Sequence, residues 1–226
     1  MSAGQKAISA RIPATVTAHT VVPQRVRVWS EQVGVRRYPV AWLIAGVLAV
    51  VVLTACYLGL VTGAVSVDLR LGRRIRTLGP EAVVIAAPRD VVFAVIAAPY
   101  LGRASKAVSE KIRVLERGAD MVLAAHRTPI RKGRLVATTV ETVQFSGPDW
   151  VDFRLVRGPV PHVVERFTLV EDDHGTRLQY RGELGTDLWV LGSWWGRVVG
   201  RVWVRTVAAS LETIKTEAER RQRARS

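Results

Sequence analysis

Five residues in the second half of the chain are the candidates for moving a proton: His126, Glu141, His162, Glu165 and Tyr180. Held within hydrogen-bond reach of a reacting group, such side chains serve general acid–base catalysis. Their spacing along the chain does not bring them together, so the fold must. Glu165 poses the sharpest question. In "HVVERFTLV" it stands in phase with Val163, Phe167 and Leu169, on the apolar face of a two-residue alternation. A carboxylate there is costly unless it is protonated or paired. Arg197, Arg201 and Arg205, which recur every four residues near the carboxyl end, are candidate partners, although a solvated helix face has the same spacing. A one-residue slip in register would turn Glu165 outward and leave it a surface carboxylate.

Other chemistries lack their residues. There is one Cys, the four His are scattered, and neither shows zinc-ligand spacing or a nucleophile–base set. We therefore expect no metal and no cofactor. No glycine-rich phosphate loop is present. Four of the seven tryptophans, Trp189, Trp194, Trp195 and Trp203, fall within 15 residues. Trp195 and Trp203, together with Glu165, Phe167 and Tyr180, are the candidate ligand-binding residues, offering aromatic walls and polar handles to a ring-shaped or acyl ligand. Trp189 and Trp194 would instead suit a membrane interface, where indole rings are favoured.

The elements that would position these groups follow from the pattern. "EAVVIAA" reads as a strand and "PRDVVFAVIAA" as a helix with Pro88 at its first position. Three strand pairs follow, turning at Gly118-Ala119-Asp120, at Ser146-Gly147-Pro148-Asp149 and at Asp173-His174-Gly175. From Asp187 to Arg225 the period becomes helical. Leu191, Trp195, Val198, Val202, Thr206 and Ala209 form one stripe, with Trp203, Val207, Leu211 and Ile214 beside it. Gly192, Gly196 and Gly200 cost that helix about 1 kcal/mol each, which makes sense where a sheet, a loop or a ligand approaches closely. The order implies an α+β fold, an antiparallel sheet free to wrap the final helix.

The charge is uneven. The chain of 226 residues carries a formal net charge of +14. Before Pro80 there are ten Lys or Arg against Glu31 and Asp68, and much of that excess brackets a run from Tyr38 to Val67 without a charged residue. About 20 apolar residues suffice to span a bilayer, so we expect one transmembrane helix and a membrane location, with nucleic acid disfavoured as a partner. Gly59 and Gly63 form a G-x-x-x-G pair through which a homodimer could pack. Arginines balance across the run, and the basic linker after it suits an anionic leaflet, which places the following domain on the cytoplasmic side.

"VVIAAPRDVVFAVIA" resembles the opening of START-like (SRPBCC) domains, in which a strand leads through Ala-Pro into a helix. "GPVPHVVERFTLVEDDHGTRLQYRGEL" is similar to their later hairpin, and the long terminal helix ending in "LETIKTEAERR" fits them as well. The resemblance covers residues 80–220. It implies a helix-grip fold enclosing an apolar cavity, with Glu165 facing that cavity. The organisation expected is a basic, disordered tail at 1–38, a transmembrane helix at 39–66, a basic linker at 67–79 and a START-like domain at 80–226. The function expected is binding of a hydrophobic small molecule or lipid. A cyclase or dehydratase of the polyketide type is the alternative, and a protein-interaction module without turnover a second.

Overall fold

The computed structural model describes residues 38–102 and 110–225, so most of the expected tail lies outside the described residues. The chain divides into two compact units, 1–46 and 47–226. In the first, the described residues are the opening turns of α1 (Tyr38–Thr62); the second holds the rest of α1 and every other described element. The stretch Val40–Val61 has a mean hydropathy of 2.5, long and apolar enough to cross a membrane. The helix ends because Gly63 takes φ +69, the left-handed conformation that closes helices, and its N–H returns to the Leu60 carbonyl at 3.1 Å.

That ending changes the reading of the glycine pair. A Cβ on Gly59 would meet the Val65 side chain at 3.1 Å, and one on Gly63 would meet the Thr138 carbonyl oxygen at 2.2 Å. Both glycines are used for close approach within the chain.

Seven strands form one antiparallel sheet in the order β1-β7-β6-β5-β4-β3-β2. They are β1 (Arg74–Ile85), β2 (Ile112–Arg117), β3 (Met121–Ile130), β4 (Leu135–Ser146), β5 (Trp150–Arg157), β6 (His162–Asp172) and β7 (Gly175–Thr186), with α2 (Arg89–Ala97) between β1 and β2 and α3 (Trp189–Arg223) after β7. The three hairpin turns fall where the Gly, Pro and Asp clusters predict. Pro88 caps α2 from outside its first turn instead of occupying it.

β1 starts at Arg74, earlier than the strand and the domain start expected near Pro80. Arg74–Leu78 pair with Gly182–Thr186 of β7, a bulge intervenes, and Glu81–Ile85 continue along Thr176–Tyr180. Half of the expected linker is therefore sheet. The other half is tied down by the buried Asp187 carboxylate, which accepts from the backbone N–H groups of Leu69 and Arg70 at 2.7 and 2.8 Å and from Arg73 Nε at 2.8 Å. The sequence reads as a basic linker suited to an anionic leaflet; pairing with β7 and with Asp187 supplies its order.

The inner face of the sheet follows the two-residue alternation: Val163, Glu165, Phe167 and Leu169 on β6 are buried, and so are Leu178, Tyr180 and Leu184 on β7. Against it pack α2 and α3, through Val91, Val92, Val199, Val207 and Leu211. The packing stripe of α3 is not the one its large side chains suggest. Gly192, Gly196, Val199, Gly200, Val207, Leu211 and Ala218 are buried, whereas Leu191 remains 64% and Val202 43% exposed. The glycines decide the phase, because a Cβ on Gly196 would already lie 3.2 Å from Thr186 of β7. Backbone closeness selects the small-residue ridge and leaves the neighbouring stripe outside.

Candidate functional site

Glu165 lies on the inner face, fixed by register opposite Phe153 of β5 and Gly182 of β7. The predicted arginine partners do not reach it: Arg197, Arg201 and Arg205 are exposed on the far side of α3. Two neutral donors take their place. Tyr180 Oη donates to Glu165 Oε1 at 2.5 Å and Trp203 Nε1 donates to the same oxygen at 2.7 Å. Gly182 makes room for this, since a Cβ there would stand 2.9 Å from Tyr180 Oη and 3.2 Å from Glu165 Cγ.

Burial pushes the Glu165 carboxyl up to about 7, the charge of Glu141 adds to the rise, and the Tyr180 and Trp203 hydrogen bonds hold it back. Tyr180 is raised, by burial first and then by the facing carboxylate. It remains a donor.

A second pair stands nearby. His126 on β3 and Glu141 on β4 face inward from adjacent strands, with Nδ1 2.8 Å from Glu141 Oε2. Thr139 Oγ1 donates to Glu141 Oε1 at 2.6 Å, and His126 Nε2 faces Tyr100 Oη at 3.1 Å. Burial disfavours the imidazolium, but the charge and hydrogen bond of Glu141 outweigh it and His126 is raised. Glu141 is likewise desolvated, yet His126 and Thr139 bring it below the usual carboxylate range. The interior thus holds a His–Glu pair in which each group favours the charged form of the other, and one carboxyl pushed up to about 7.

The fold therefore gathers His126, Glu141, Glu165 and Tyr180, four of the five proton-moving residues. His162 is apart, at the first position of β6 and out of phase with the inner face, paired to Glu183 at 2.8 Å. Tyr100 and Thr139 complete the network. Thr139 is in phase with Glu141 in "TTVETV", a signal present in the sequence; Tyr100 follows α2 and arrives only through the tertiary fold.

Of the candidate ligand residues, Phe167 belongs to an aromatic row, Tyr100, Phe153, Phe167 and Tyr180, with successive ring centroids 5.2–6.1 Å apart. Trp195 is not with Glu165. It lies eight residues before Trp203, about 12 Å along the helix, donates to the Pro159 carbonyl at 2.7 Å and meets the Tyr57 ring edge-on at 6.5 Å.

A groove of about 330 Å³ opens between α3 and the end of β3, lined by Pro129, Ile130, Val202, Arg205, Thr206 and Ala209. His126 and Ile130 share one face of β3, so that face leads from the groove toward the polar cluster, and Trp203 follows groove-lining Val202. A second depression, about 270 Å³, lies among Asp152, Arg166, Arg181 and Glu183, on the charged outer face of the sheet. The Glu165 carboxyl is engaged on the opposite face. Among the described residues no group of His, Cys, Asp and Glu is arranged to hold a metal ion.

No family model and no curated protein matches the sequence. Solved structures do match the fold. The Zhui aromatase/cyclase from Streptomyces sp. R1128 superposes with a TM-score of 0.53 at 18% identity, over 66% of this chain and 96% of that one. Norcoclaurine synthase from Thalictrum flavum gives 0.51 at 11% identity, over 64% and 87%. The two-domain aromatase/cyclase StfQ of the steffimycin biosynthetic pathway gives 0.52 at 14%, over 66% of this chain, which spans about half (52%) of that protein. At these identities the likeness is one of fold.

Proposed function

We propose that this chain, which has the START-like helix-grip fold, is an acid–base enzyme of the cyclase or dehydratase kind acting on a hydrophobic carbonyl compound. The observation that carries the reading is Glu165: a carboxyl buried on an apolar face, held by two donors on one oxygen, and poised near neutral pH. In its ionised form it would remove a proton from the carbon next to a carbonyl. The resulting enolate carbon attacks a second carbonyl of the same chain, and the proton passes from the carboxyl to the new alkoxide. Loss of water then needs another proton removed from carbon and one delivered to the leaving hydroxyl, which the same carboxyl can supply in turn. Tyr180 and Trp203 position it. The charge of Glu141 favours the protonated form needed for the delivery step, and that of His126 offsets part of it. α1 would hold the enzyme in a membrane.

The test is conversion of a short poly-β-ketone thioester by the detergent-solubilised chain, followed by mass spectrometry for loss of water. Glu165→Gln is expected to lower the rate about 100-fold or more. Unchanged turnover by that variant would remove Glu165 from the reaction. A second reading, binding without turnover, is favoured by the groove at Val202 and Thr206. An apolar ligand retained in native mass spectrometry, with the thioester untouched, would select it.

A further inference from the structure

Large apolar side chains stand exposed on α3 only over its first turns and the groove. Val190 is 73%, Trp189 56% and Trp194 54% exposed, with Leu191 and Val198 beside them. At 100° per residue, Val190, Leu191, Trp194 and Val198 share one arc of the helix, opposite the buried glycine ridge. Arg197 flanks this arc, and further along the arc itself carries Arg201 and Arg205, all three exposed. The outer face thus changes from apolar and aromatic to cationic within about two turns, the pattern of a helix that starts in a membrane interface and leaves it.

The start of α3 also lies where α1 ends. Leu188 N donates to Leu71 O at 2.7 Å and Trp189 N to Gly72 O at 3.1 Å, while Tyr57 in the last turns of α1 meets Trp195. Arg70, exposed beside that join, adds a cation where anionic headgroups would be.

We propose that the outer face of the first three turns of α3, Val190, Leu191, Trp194 and Val198, is embedded in the interface of the bilayer that α1 enters. The occupant of this surface is lipid, because the face is continuous with a helix apolar enough to span a membrane and is bounded by arginines. Val202 and Thr206, which line the groove, lie beside this arc one to two turns further on. The inference rests on α1 as a membrane helix, and its test separates the two.

The full chain, carrying Cys56→Ser, is reconstituted into phosphatidylcholine vesicles with and without phosphatidylglycerol, and a nitroxide is attached at one introduced cysteine. Val190→Cys reports the proposed face and Val47→Cys reports α1. Asp173→Cys is the reference, in the exposed β6–β7 turn about 40 Å along β7 from Asp187. Power-saturation spectra compare relaxation by oxygen, which partitions into lipid, with relaxation by a water-soluble nickel chelate. The oxygen-to-nickel ratio at 190 should exceed that at 173 several-fold and stay below the ratio at 47, which lies deeper in the apolar span. A ratio at 190 equal to that at 173, with 47 in lipid, overturns the proposal and leaves the anchor standing. Water access at 47 as well overturns both. Trp194→Ser should in addition weaken quenching of tryptophan fluorescence by brominated phosphatidylcholine; unchanged quenching counts against the face.

Discussion

Replacing Glu165 with Gln removes the ionisable group while keeping its shape and an acceptor for Tyr180 and Trp203, and its effect on stability should depend on pH. In the folded chain the carboxyl ionises at about 7, against an ordinary value of 4.5. Between those values the folded state holds a proton that the unfolded state has released, so stability falls as pH rises through the window. The contribution is full below the unfolded pKa and lost above the folded one. The shift is worth about 3 kcal/mol. Glu141 and His126 titrate in the same interior, and Tyr180 faces the carboxyl. Glu141, depressed, gives stability that is lost toward acid, and His126, raised, gives stability that is lost as pH rises through its folded pKa. Both remain in the variant, so the difference between wild type and Glu165→Gln isolates Glu165 apart from their mutual coupling. Urea unfolding of the detergent-solubilised chain, followed by tryptophan fluorescence from about pH 5 to pH 8, measures it. Wild type should lose about 3 kcal/mol relative to the variant across that range. A difference that stays flat would mean that Glu165 ionises like a surface carboxylate, and the acid–base role would go with it.

Glu141→Gln should move the titration midpoint of the Glu165 carboxyl downward, seen by carbon-13 NMR, because a neighbouring negative charge is gone; an unmoved midpoint would show the two sites to be uncoupled. Gly182→Ala should separate Tyr180 from Glu165 and cost about 2 kcal/mol through overpacking, read as a lower midpoint in urea. The glycines of α3 should split: a Cβ at 192 would stand 1.6 Å from the Asp187 carbonyl oxygen, whereas at 200 it meets Arg76 at 3.6 Å and Leu78 at 3.9 Å, both ordinary contacts. Gly192→Ala should therefore cost about 3 kcal/mol, and Gly200→Ala should gain up to about 1 kcal/mol, both measured by urea unfolding. Asp187→Ala should cost about 2 kcal/mol, since it strips charged hydrogen bonds from Leu69, Arg70 and Arg73; it should also expose Arg70 and Arg73 to trypsin, which a limited digest would show.

The fold was legible where one period governed a segment. The alternation in "HVVERFTLV" put Glu165 on the inner face because the hairpin turn after it fixes the register, and the opening strand, the helix after Pro88 and the three turns followed from local chemistry. The site was legible only as an inventory. Which donors meet Glu165 depends on how close α3 comes to the sheet, and that closeness is set by glycines, whose contribution to a hydrophobic pattern is nil. Large side chains at Leu191, Val198 and Val202 therefore pointed to the wrong face of α3, and Arg197, Arg201 and Arg205 to the wrong partners. Tyr100 reaches His126 from outside the sheet altogether, through a loop position with no periodicity to read. The strand at Arg74–Leu78 was hidden for a different reason, because its residues are basic and its pairing with β7 is a long-range choice.

The segment from Gly63 to Arg73 has consequences for mechanics. Fully extended, eleven residues would reach about 38 Å and act as a leash. Here Ser66 exchanges hydrogen bonds with Gly158, Val65 turns back to Gly59, and Asp187 holds Leu69, Arg70 and Arg73. A leash would let the domain roam a hemisphere and meet a neighbour at an effective concentration set by its slack. A stretch pinned at this many points has almost no slack to give. Any tilt of the last turns of α1 is transmitted to the sheet as torque, so a glycine–serine insertion after Gly63 would change the orientation of the domain before it changed its stability.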